Sequence, residues 1–218
     1  MARWALVIDL KTCVNCYACS IACKQEHFLP PGIFWNRLVV GEEGAYPNAR
    51  KISYPILCNH CQKAVCVDAC PTEATRQRSD GIVEVDPDKC IGCQNCVLAC
   101  PYQQRTYLSE ARAKKEYFPG QGLTELERIG KILYPLTPGT VVKCNFCKET
   151  VDEGLARGLR PGIDPRATPA CVTVCMKKAR HFGDLEDPDS NVSVLIKKRN
   201  GFVLRPELGT EPSVYYVK

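Results

Sequence analysis

Short apolar runs rich in β-branched residues recur along the chain, each set off by turn-forming residues. The segments ALVIDL (5–10), GIVEVD (81–86) and TVVKC (140–144) share this pattern, which predicts three short strands. Each predicted strand leads into a group of closely spaced cysteines, and a short helix is expected after the fourth cysteine of each group. The pattern therefore predicts an α+β fold in which loops outweigh regular structure.

A segment near the C-terminus has the start and stop signals of a helix. Asp187 is the expected N-cap, Pro188 fits the first helical position, and VSVLIKKR (192–199) ends in basic residues just before an Asn-Gly pair. Val192, Leu195 and Ile196 form the apolar stripe of this helix. We expect the stripe to pack against the body of the protein, and a binding face is the alternative.

Sixteen cysteines dominate the chemistry of this chain of 218 residues, and they fall into four groups of four. The groups are I, Cys13, Cys16, Cys19 and Cys23; II, Cys58, Cys61, Cys66 and Cys70; III, Cys90, Cys93, Cys96 and Cys100; and IV, Cys144, Cys147, Cys171 and Cys175. Groups I and III have the spacing C-x2-C-x2-C-x3-C, group II has one x4 gap, and group IV has a gap of 23 residues. A proline directly follows groups II and III, and proline cannot continue a helix.

Iron–sulfur clusters explain this spacing better than zinc or disulfides do. Thiolates at x2, x2 intervals reach different irons of one cubane, and in two-cluster ferredoxins the fourth cysteine ligates the other cubane. Structural zinc favours two separated C-x2-C pairs, which only group IV resembles. Eight disulfides would need an oxidising compartment, and the start MARWALVIDLK has no export signal. We therefore predict four [4Fe–4S] clusters.

The exchange of ligands between neighbouring clusters predicts the architecture. The ligand sets are set 1, Cys13, Cys16, Cys19 and Cys175; set 2, Cys144, Cys147, Cys171 and Cys23; set 3, Cys58, Cys61, Cys66 and Cys100; and set 4, Cys90, Cys93, Cys96 and Cys70. Two interleaved bacterial-ferredoxin-like lobes result, of which residues 1–55 with 140–182 carry sets 1 and 2, and residues 56–108 carry sets 3 and 4. Residues 109–139 are a cysteine-free insertion expected to cover a lobe or meet a partner, and residues 183–218 form a C-terminal helix and tail.

Charge and the remaining motifs narrow the function to electron transfer. The formal charge of +5 counts every thiol as neutral, whereas four thiolate-bound clusters would more than offset it. Lys and Arg are scattered, so no nucleic-acid surface is predicted, and no apolar run reaches the roughly 18 residues of a membrane span. No catalytic constellation is present. We expect a soluble chain without an active site of its own, which conducts electrons between its clusters.

Three histidines, His27, His60 and His181, lie near the cysteine groups. Because four thiolates are already available for each cluster, we expect no histidine to ligate iron. A contact that tunes a cluster is the alternative role, and His27 is expected at the surface.

The four groups, together with YPILCNHCQKAVCVDACPTEAT (54–75), GIFWNRL (32–38) and RPELGTEPSVYYVK (205–218), resemble the iron–sulfur (beta) subunits of the dimethyl sulfoxide reductase superfamily, the complex iron–sulfur molybdoenzymes. The similar branch contains arsenate respiratory reductase, polysulfide or thiosulfate reductase and the small subunit of pyrogallol–phloroglucinol transhydroxylase. Some relatives have tryptophan at one position of group III and hold a [3Fe–4S] cluster. Cys93 stands there in this chain, so the resemblance implies four [4Fe–4S] clusters.

The resemblance implies a large catalytic partner with a molybdenum or tungsten bis-pterin cofactor, which this chain does not hold itself. The lobe with groups I and IV would face this partner, and the other lobe would face a quinone-linked membrane anchor or a soluble electron carrier. Such subunits are often exported with a signal-bearing partner, so the periplasm or the outer face of the membrane is favoured over the cytoplasm. The alternatives are a subunit of a hydrogenase or formate dehydrogenase, a transhydroxylase small subunit and a free polyferredoxin.

Overall fold

The computed structural model describes residues 2–218 and has mixed α and β structure, as predicted. The strands are β1 (Trp4–Asp9), β2 (Asn36–Glu43), β3 (Arg50–Leu57), β4 (Thr75–Gln77), β5 (Val83–Val85), β6 (Thr106–Leu108), β7 (Thr140–Val142), β8 (Arg180–Asp184) and β9 (Val214–Val217). The helices are α1 (Ala18–Glu26), α2 (Val65–Asp68), α3 (Asn95–Ala99), α4 (Glu110–Ala113), α5 (Glu125–Leu133), α6 (Lys148–Ala156), α7 (Ala170–Thr173) and α8 (Asn191–Lys198). Within residues 2–218, no helix is both long and apolar enough to cross a bilayer.

β1 forms the centre of the hydrophobic core. All six of its residues are buried, because β8 pairs with it antiparallel on one side and β9 pairs with it parallel on the other. Leu6 lies opposite Phe182 of β8 and Val214 of β9. The nearly continuous apolar sequence WALVID suits a strand that is covered on both faces. The strand predicted over 5–10 is confirmed, one residue earlier at each end.

Strand pairing connects the four cysteine groups in a closed order. β1 precedes group I and pairs with β8, which follows group IV. In the same way, β3 precedes group II and pairs with β2 after group I, β5 precedes group III and pairs with β4 after group II, and β7 precedes group IV and pairs with β6 after group III. The strands predicted before groups III and IV are confirmed as β5 and β7. Each group therefore starts from a strand that is held by the strand leaving another group.

The short helices carry the third cysteine of each group, and the prediction that they follow the fourth cysteine is wrong. α1 contains Cys19 and Cys23, whereas α2, α3 and α7 contain Cys66, Cys96 and Cys171 and end before the fourth cysteine. The x3 spacing explains the position, because four residues make about one helical turn and that turn lies between the third and fourth cysteines.

The C-terminal helix α8 is present, but it starts later than predicted. Its N-cap is Ser190, whose side chain accepts a hydrogen bond from the Ser193 N–H at 3.2 Å, and not Asp187. The Asp187 carboxylate instead accepts the Asp189 N–H at 2.9 Å, so this residue forms a local turn that competes with the helix. The predicted packing of the apolar stripe is confirmed, since Val192 is fully buried beside Val7 of β1.

The cysteine-free insertion packs α5 against the end of α1. A reciprocal capping box between Thr124 and Glu127 starts α5. Gly130 approaches Phe28 so closely that an added Cβ would lie 2.4 Å from the phenyl ring. On α5, Ile132 and Leu133 are exposed. The insertion therefore covers the end of α1 and has an apolar outer side.

Candidate metal centres

All four groups repeat one backbone conformation between their first two cysteines. The second residue of each of these C-x-x-C segments has a left-handed backbone, with φ of 58° at Asn15, 42° at His60, 68° at Gly92 and 58° at Phe146. Residues other than glycine adopt this region at a cost of roughly 1 kcal/mol or more, so a recurrence at four equivalent positions marks a shared requirement. We attribute it to the sharp turn that brings the thiols at either end of x2 to one side of the loop.

The turn after the fourth cysteine is also repeated, and it directs a backbone N–H to sulfur. The donors are Thr75 N to Cys70 Sγ at 3.3 Å, Gln104 N to Cys100 Sγ at 3.5 Å and Ala179 N to Cys175 Sγ at 3.2 Å. Each turn has a left-handed residue three positions after the cysteine, at Glu73, Gln103 and Lys178. Group I differs because α1 continues past Cys23. Hydrogen bonds of this kind stabilise a thiolate and tune a bound cluster.

Burial and neighbouring thiols raise the pKa of Cys61 to about 12. Burial has the largest effect, a hydrogen bond to Thr210 opposes it, and negative charge on Cys58, Cys66 and Cys100 adds to it. The structure therefore brings the thiols of set 3 near one another.

The thiols of set 2 lie near one another deep in the other lobe. Burial raises the pKa of Cys147 well above its ordinary value, and negative charge on Cys171, Cys144 and Cys23 raises it further. In set 1, burial likewise raises the pKa of Cys13, and Cys19 and Cys175 contribute to the rise. Cys16 of the same set is exposed.

The residues of set 4 lie close to the surface. Cys93 is exposed and Cys90 and Cys70 are partly buried, whereas Cys96 on α3 is buried. α3 packs beside α2, which ends just before Cys70. Burial opposes ionisation of Cys70, but hydrogen bonds from Thr75 and Thr72 outweigh it and hold the pKa of this thiol below its ordinary value. A low pKa favours the thiolate that iron requires.

The donor chemistry fits iron–sulfur clusters. All sixteen cysteines carry free thiols, which are soft ligands suited to iron–sulfur centres. Buried cations lie beside them, and the Arg105 guanidinium donates to Cys66 Sγ at 3.1 Å. A mononuclear zinc site needs its ligands within one coordination sphere, and among residues 2–218 no three His, Cys, Asp or Glu side chains converge in that way.

His27 is buried beside a cysteine, and the prediction that it lies at the surface is wrong. Its side chain is only 2% exposed, and Nε2 lies 3.3 Å from Cys147 Sγ. Burial lowers the pKa of His27 to about 4, so the ring is neutral near pH 7. Trp35 and Tyr134 cover the ring, with centroids 4.5 Å and 4.9 Å away. The covering residues come from the two cysteine-free segments, so the sequence around His27 carries no direct signal of this contact.

His60 is buried as well, and its Nδ1 accepts the Val83 N–H at 3.0 Å. This hydrogen bond connects group II to β5. His181 lies on β8 and is only partly buried.

Comparison with known proteins gives one consistent family. Residues 50–116 match the family model described as "4Fe-4S dicluster domain". A Halobacterium salinarum protein, provisionally named as the iron–sulfur subunit of a dimethyl sulfoxide reductase, is 39% identical over 100% of this chain and 79% of its own length. The small iron–sulfur relative from the selenate reductase of Mesobacillus selenatarsenatis is 38% identical over 99% and 72%. The arsenate respiratory reductase iron–sulfur subunit ArrB of Shewanella sp. is 37% identical over 99% and 96%.

Proposed function

The chain belongs to the iron–sulfur subunits of the dimethyl sulfoxide reductase family and is an electron-transfer subunit of a molybdoenzyme reductase, and from this premise we propose that ligand sets 1 to 4 each hold one [4Fe–4S] cluster. When bound, the clusters supply one-electron oxidation and reduction. The chain's own residues fix where the clusters lie, exclude water from them and set their electrostatic environment.

The order of the sets along the electron path is 1, 2, 3, 4. Sets 1 and 2 share α1 and α7, and sets 3 and 4 share α2 and α3, because each of these helices lies at cysteines of both sets. Groups II and IV meet between the lobes. Burial raises the pKa of Cys144 to about 12, with further increases from Cys171 and from Cys58 of the other lobe. This last contact, between sets 2 and 3, is the observation that carries a continuous path.

The two ends of the path lie at the surface beside exposed apolar side chains. Next to Cys16 of set 1, Val14, Tyr17 and Ile21 are exposed, and next to Cys93 of set 4, Ile91 and Leu98 are exposed. Exposed apolar patches mark sites of protein contact. We assign the set 1 end to the catalytic subunit and the set 4 end to the second redox partner, either a quinone-linked membrane anchor or a soluble carrier.

The remaining parts of the proposal concern the complex. Its catalytic subunit holds a molybdenum or tungsten bis-pterin cofactor, and electrons pass between that subunit and the second partner through this chain. The complex acts in the periplasm or at the outer face of the membrane, to which this chain is carried by a signal-bearing partner. Family membership supports the presence of a catalytic partner, because the relatives are named as single subunits of reductases.

Two charge insertions at opposite ends test the assignment. Ile21→Asp is expected to release the chain from the molybdenum- or tungsten-containing subunit in size-exclusion chromatography of native extract. Leu98→Asp is expected to leave that association intact, while the second partner no longer reduces the clusters. Each variant is the control for the other, since both insert one carboxylate at an exposed apolar position. A wild-type chain that elutes alone, or variants with identical effects, would refute the two-ended path.

A further inference from the structure

Two buried arginines occupy equivalent positions in the two predicted lobes. Arg105 lies five residues after Cys100, the last cysteine of group III, and Arg180 lies five residues after Cys175, the last cysteine of group IV. Arg105 is 5% exposed and Arg180 is 4% exposed. Burying a charge is costly unless it has a partner of opposite charge, so two buried guanidinium groups in repeated positions call for an explanation.

Arg105 contacts cysteines of sets 3 and 4. Its Nη2 donates to Cys66 Sγ at 3.1 Å and its Nη1 donates to Thr75 Oγ1 at 3.1 Å. Burial would lower the pKa of Arg105, but negative charge on Cys66, Cys58 and Cys96 more than offsets it and raises the pKa above its ordinary value. Cys66 and Cys58 belong to set 3, whereas Cys96 belongs to set 4.

Arg180 has the same relation to sets 1 and 2. Its Nη2 donates to Asn36 Oδ1 at 2.9 Å, and its buried Nη1 has no partner among the described residues. Burial would lower the pKa of Arg180, but negative charge on Cys171 of set 2 and Cys19 of set 1 outweighs it and raises the pKa. The unpartnered Nη1 is a donor available to an anionic group held by these cysteines.

Lys143 is a third buried cation, at the junction of the lobes. It is 4% exposed, and its Nζ donates to the Cys144 carbonyl at 2.7 Å and to the Val83 carbonyl. Its positive charge acts on the thiols of Cys144 in set 2 and Cys66 in set 3, where it lowers the pKa in opposition to the larger effect of burial. A buried cation thus lies at each of the three steps between consecutive sets.

We propose that Arg105 and Arg180 are positioning residues that raise the reduction potentials of the two clusters flanking each of them, and that Lys143 has the same role between the lobes. The inference rests on the proposed clusters. A cluster with four thiolates is anionic, and reduction adds another negative charge. A fixed cation in a poorly screened interior stabilises the reduced form more than the oxidised form, so both neighbouring potentials rise. The shared cation also weakens the repulsion between electrons on adjacent clusters.

The test is a redox titration of the native complex, followed by electron paramagnetic resonance. Each signal is first assigned through the loss caused by replacing one of its cysteines. Arg105→Gln is expected to lower the potentials of the clusters in sets 3 and 4 only, and Arg180→Gln those in sets 1 and 2 only. The lysine variants Arg105→Lys and Arg180→Lys keep the charge and are expected to retain potentials near those of the wild type. Arg157→Gln removes an exposed arginine on the outer side of the chain and is expected to shift none.

Each outcome decides the matter. If a glutamine variant loses its two clusters while the matching lysine variant keeps them, the buried charge is required and the proposal stands. It is overturned if Arg105→Gln keeps its full iron content with four unchanged potentials, if glutamine and lysine variants lose clusters alike, or if Arg157→Gln shifts the same signals. Iron content of the wild-type chain separates this failure from failure of the cluster assignment, since a chain without about sixteen irons would have no clusters to tune.

Discussion

The imidazole ring of His60 stacks on the phenyl ring of Phe146, with ring centroids 3.8 Å apart and an interplanar angle of 28°. Both side chains are about 1% exposed. The two residues are equivalent, because each is the second residue between the first two cysteines of its group, II or IV, and each has a left-handed backbone. Phe146 also packs edge-on against Phe182 of β8 at 5.4 Å. The contact between the lobes is therefore built from the turns that present the thiols.

Replacing Phe146 with alanine is expected to weaken this junction. Removing a fully buried phenyl ring leaves a cavity, and the cost is about 3–5 kcal/mol in the free energy of unfolding. The measurement is the thermal unfolding midpoint under anaerobic conditions. Phe118→Ala is the matched control, since Phe118 is 70% exposed, and its cost should stay within about 0.5 kcal/mol. Equal shifts in the two variants would mean that the stacked rings contribute nothing particular.

Gly92→Ala is expected to damage group III through a close backbone approach. An added Cβ at Gly92 would lie 2.2 Å from the Gly139 carbonyl oxygen, just before β7. Left-handed backbone alone does not explain this glycine, because Asn15 and Phe146 have the same conformation at equivalent positions. Gly120→Ala is the control, with φ of 77° and no atom within 4 Å of the added Cβ; its cost should be about 1 kcal/mol. We expect a clearly lower melting midpoint and lower iron content for Gly92→Ala, and equal effects of both variants would exclude the steric explanation.

The ion pair between Asp9 and Arg199 ties α8 to β1. Arg199 Nη1 and Nη2 donate to the two oxygens of the Asp9 carboxylate at 2.5 Å and 3.2 Å. Burial would raise the pKa of Asp9, but hydrogen bonds from Arg199 and Thr12 lower it to about 2. Because the folded pKa is below the unfolded value of about 3.9, the stabilisation is present above pH 4 and is lost as the pH falls toward 2.

Arg199→Met is therefore expected to lower the free energy of unfolding by about 2 kcal/mol, less than for a fully buried pair because Arg199 is partly exposed. The double variant Asp9→Asn with Arg199→Met should recover part of the loss, since no unpaired carboxylate remains. The difference in melting midpoint between wild type and Arg199→Met should be the same at pH 7 and pH 5. A difference that disappears at pH 5 would show that Asp9 titrates well above pH 2.

The exchange of ligands between clusters makes a prediction about pairs of cysteines. Cys66→Ser and Cys100→Ser should abolish or convert the same paramagnetic signal, although the two residues belong to different sequence groups. Cys70→Ser should affect a different signal from Cys66→Ser, although both lie in group II. Each variant should lose about four irons, or about one where a [3Fe–4S] cluster remains. Loss of one common signal in Cys66→Ser and Cys70→Ser would instead favour clusters held within single groups.

The sequence predicted the elements that depend on local pattern. The strands β1, β5 and β7 were predictable because short β-branched runs next to turn residues leave little alternative. The grouping of the cysteines was predictable for the same reason, since ligand spacing is a local property. The N-cap at Ser190 was missed because Asp187 has an equally suitable side chain, and only the turn it makes with Asp189 removes it from the helix.

Features that depend on distant segments were not predictable. The burial of His27 requires Trp35 and Tyr134, which come from the two segments without cysteines. The equal spacing of Arg105 and Arg180 from their cysteines is visible in the sequence, but exposed and buried arginines look alike there. Only the packing of these side chains beside Cys66 and Cys171 distinguishes them from surface charges.

Metal and sulfide analysis of the chain, prepared without oxygen, tests the central claim most directly. The account predicts about sixteen irons and about sixteen acid-labile sulfides per chain, four of each for every ligand set, with no stoichiometric zinc. A preparation that holds zinc in place of iron, or only about eight irons in a fully folded chain, would contradict it.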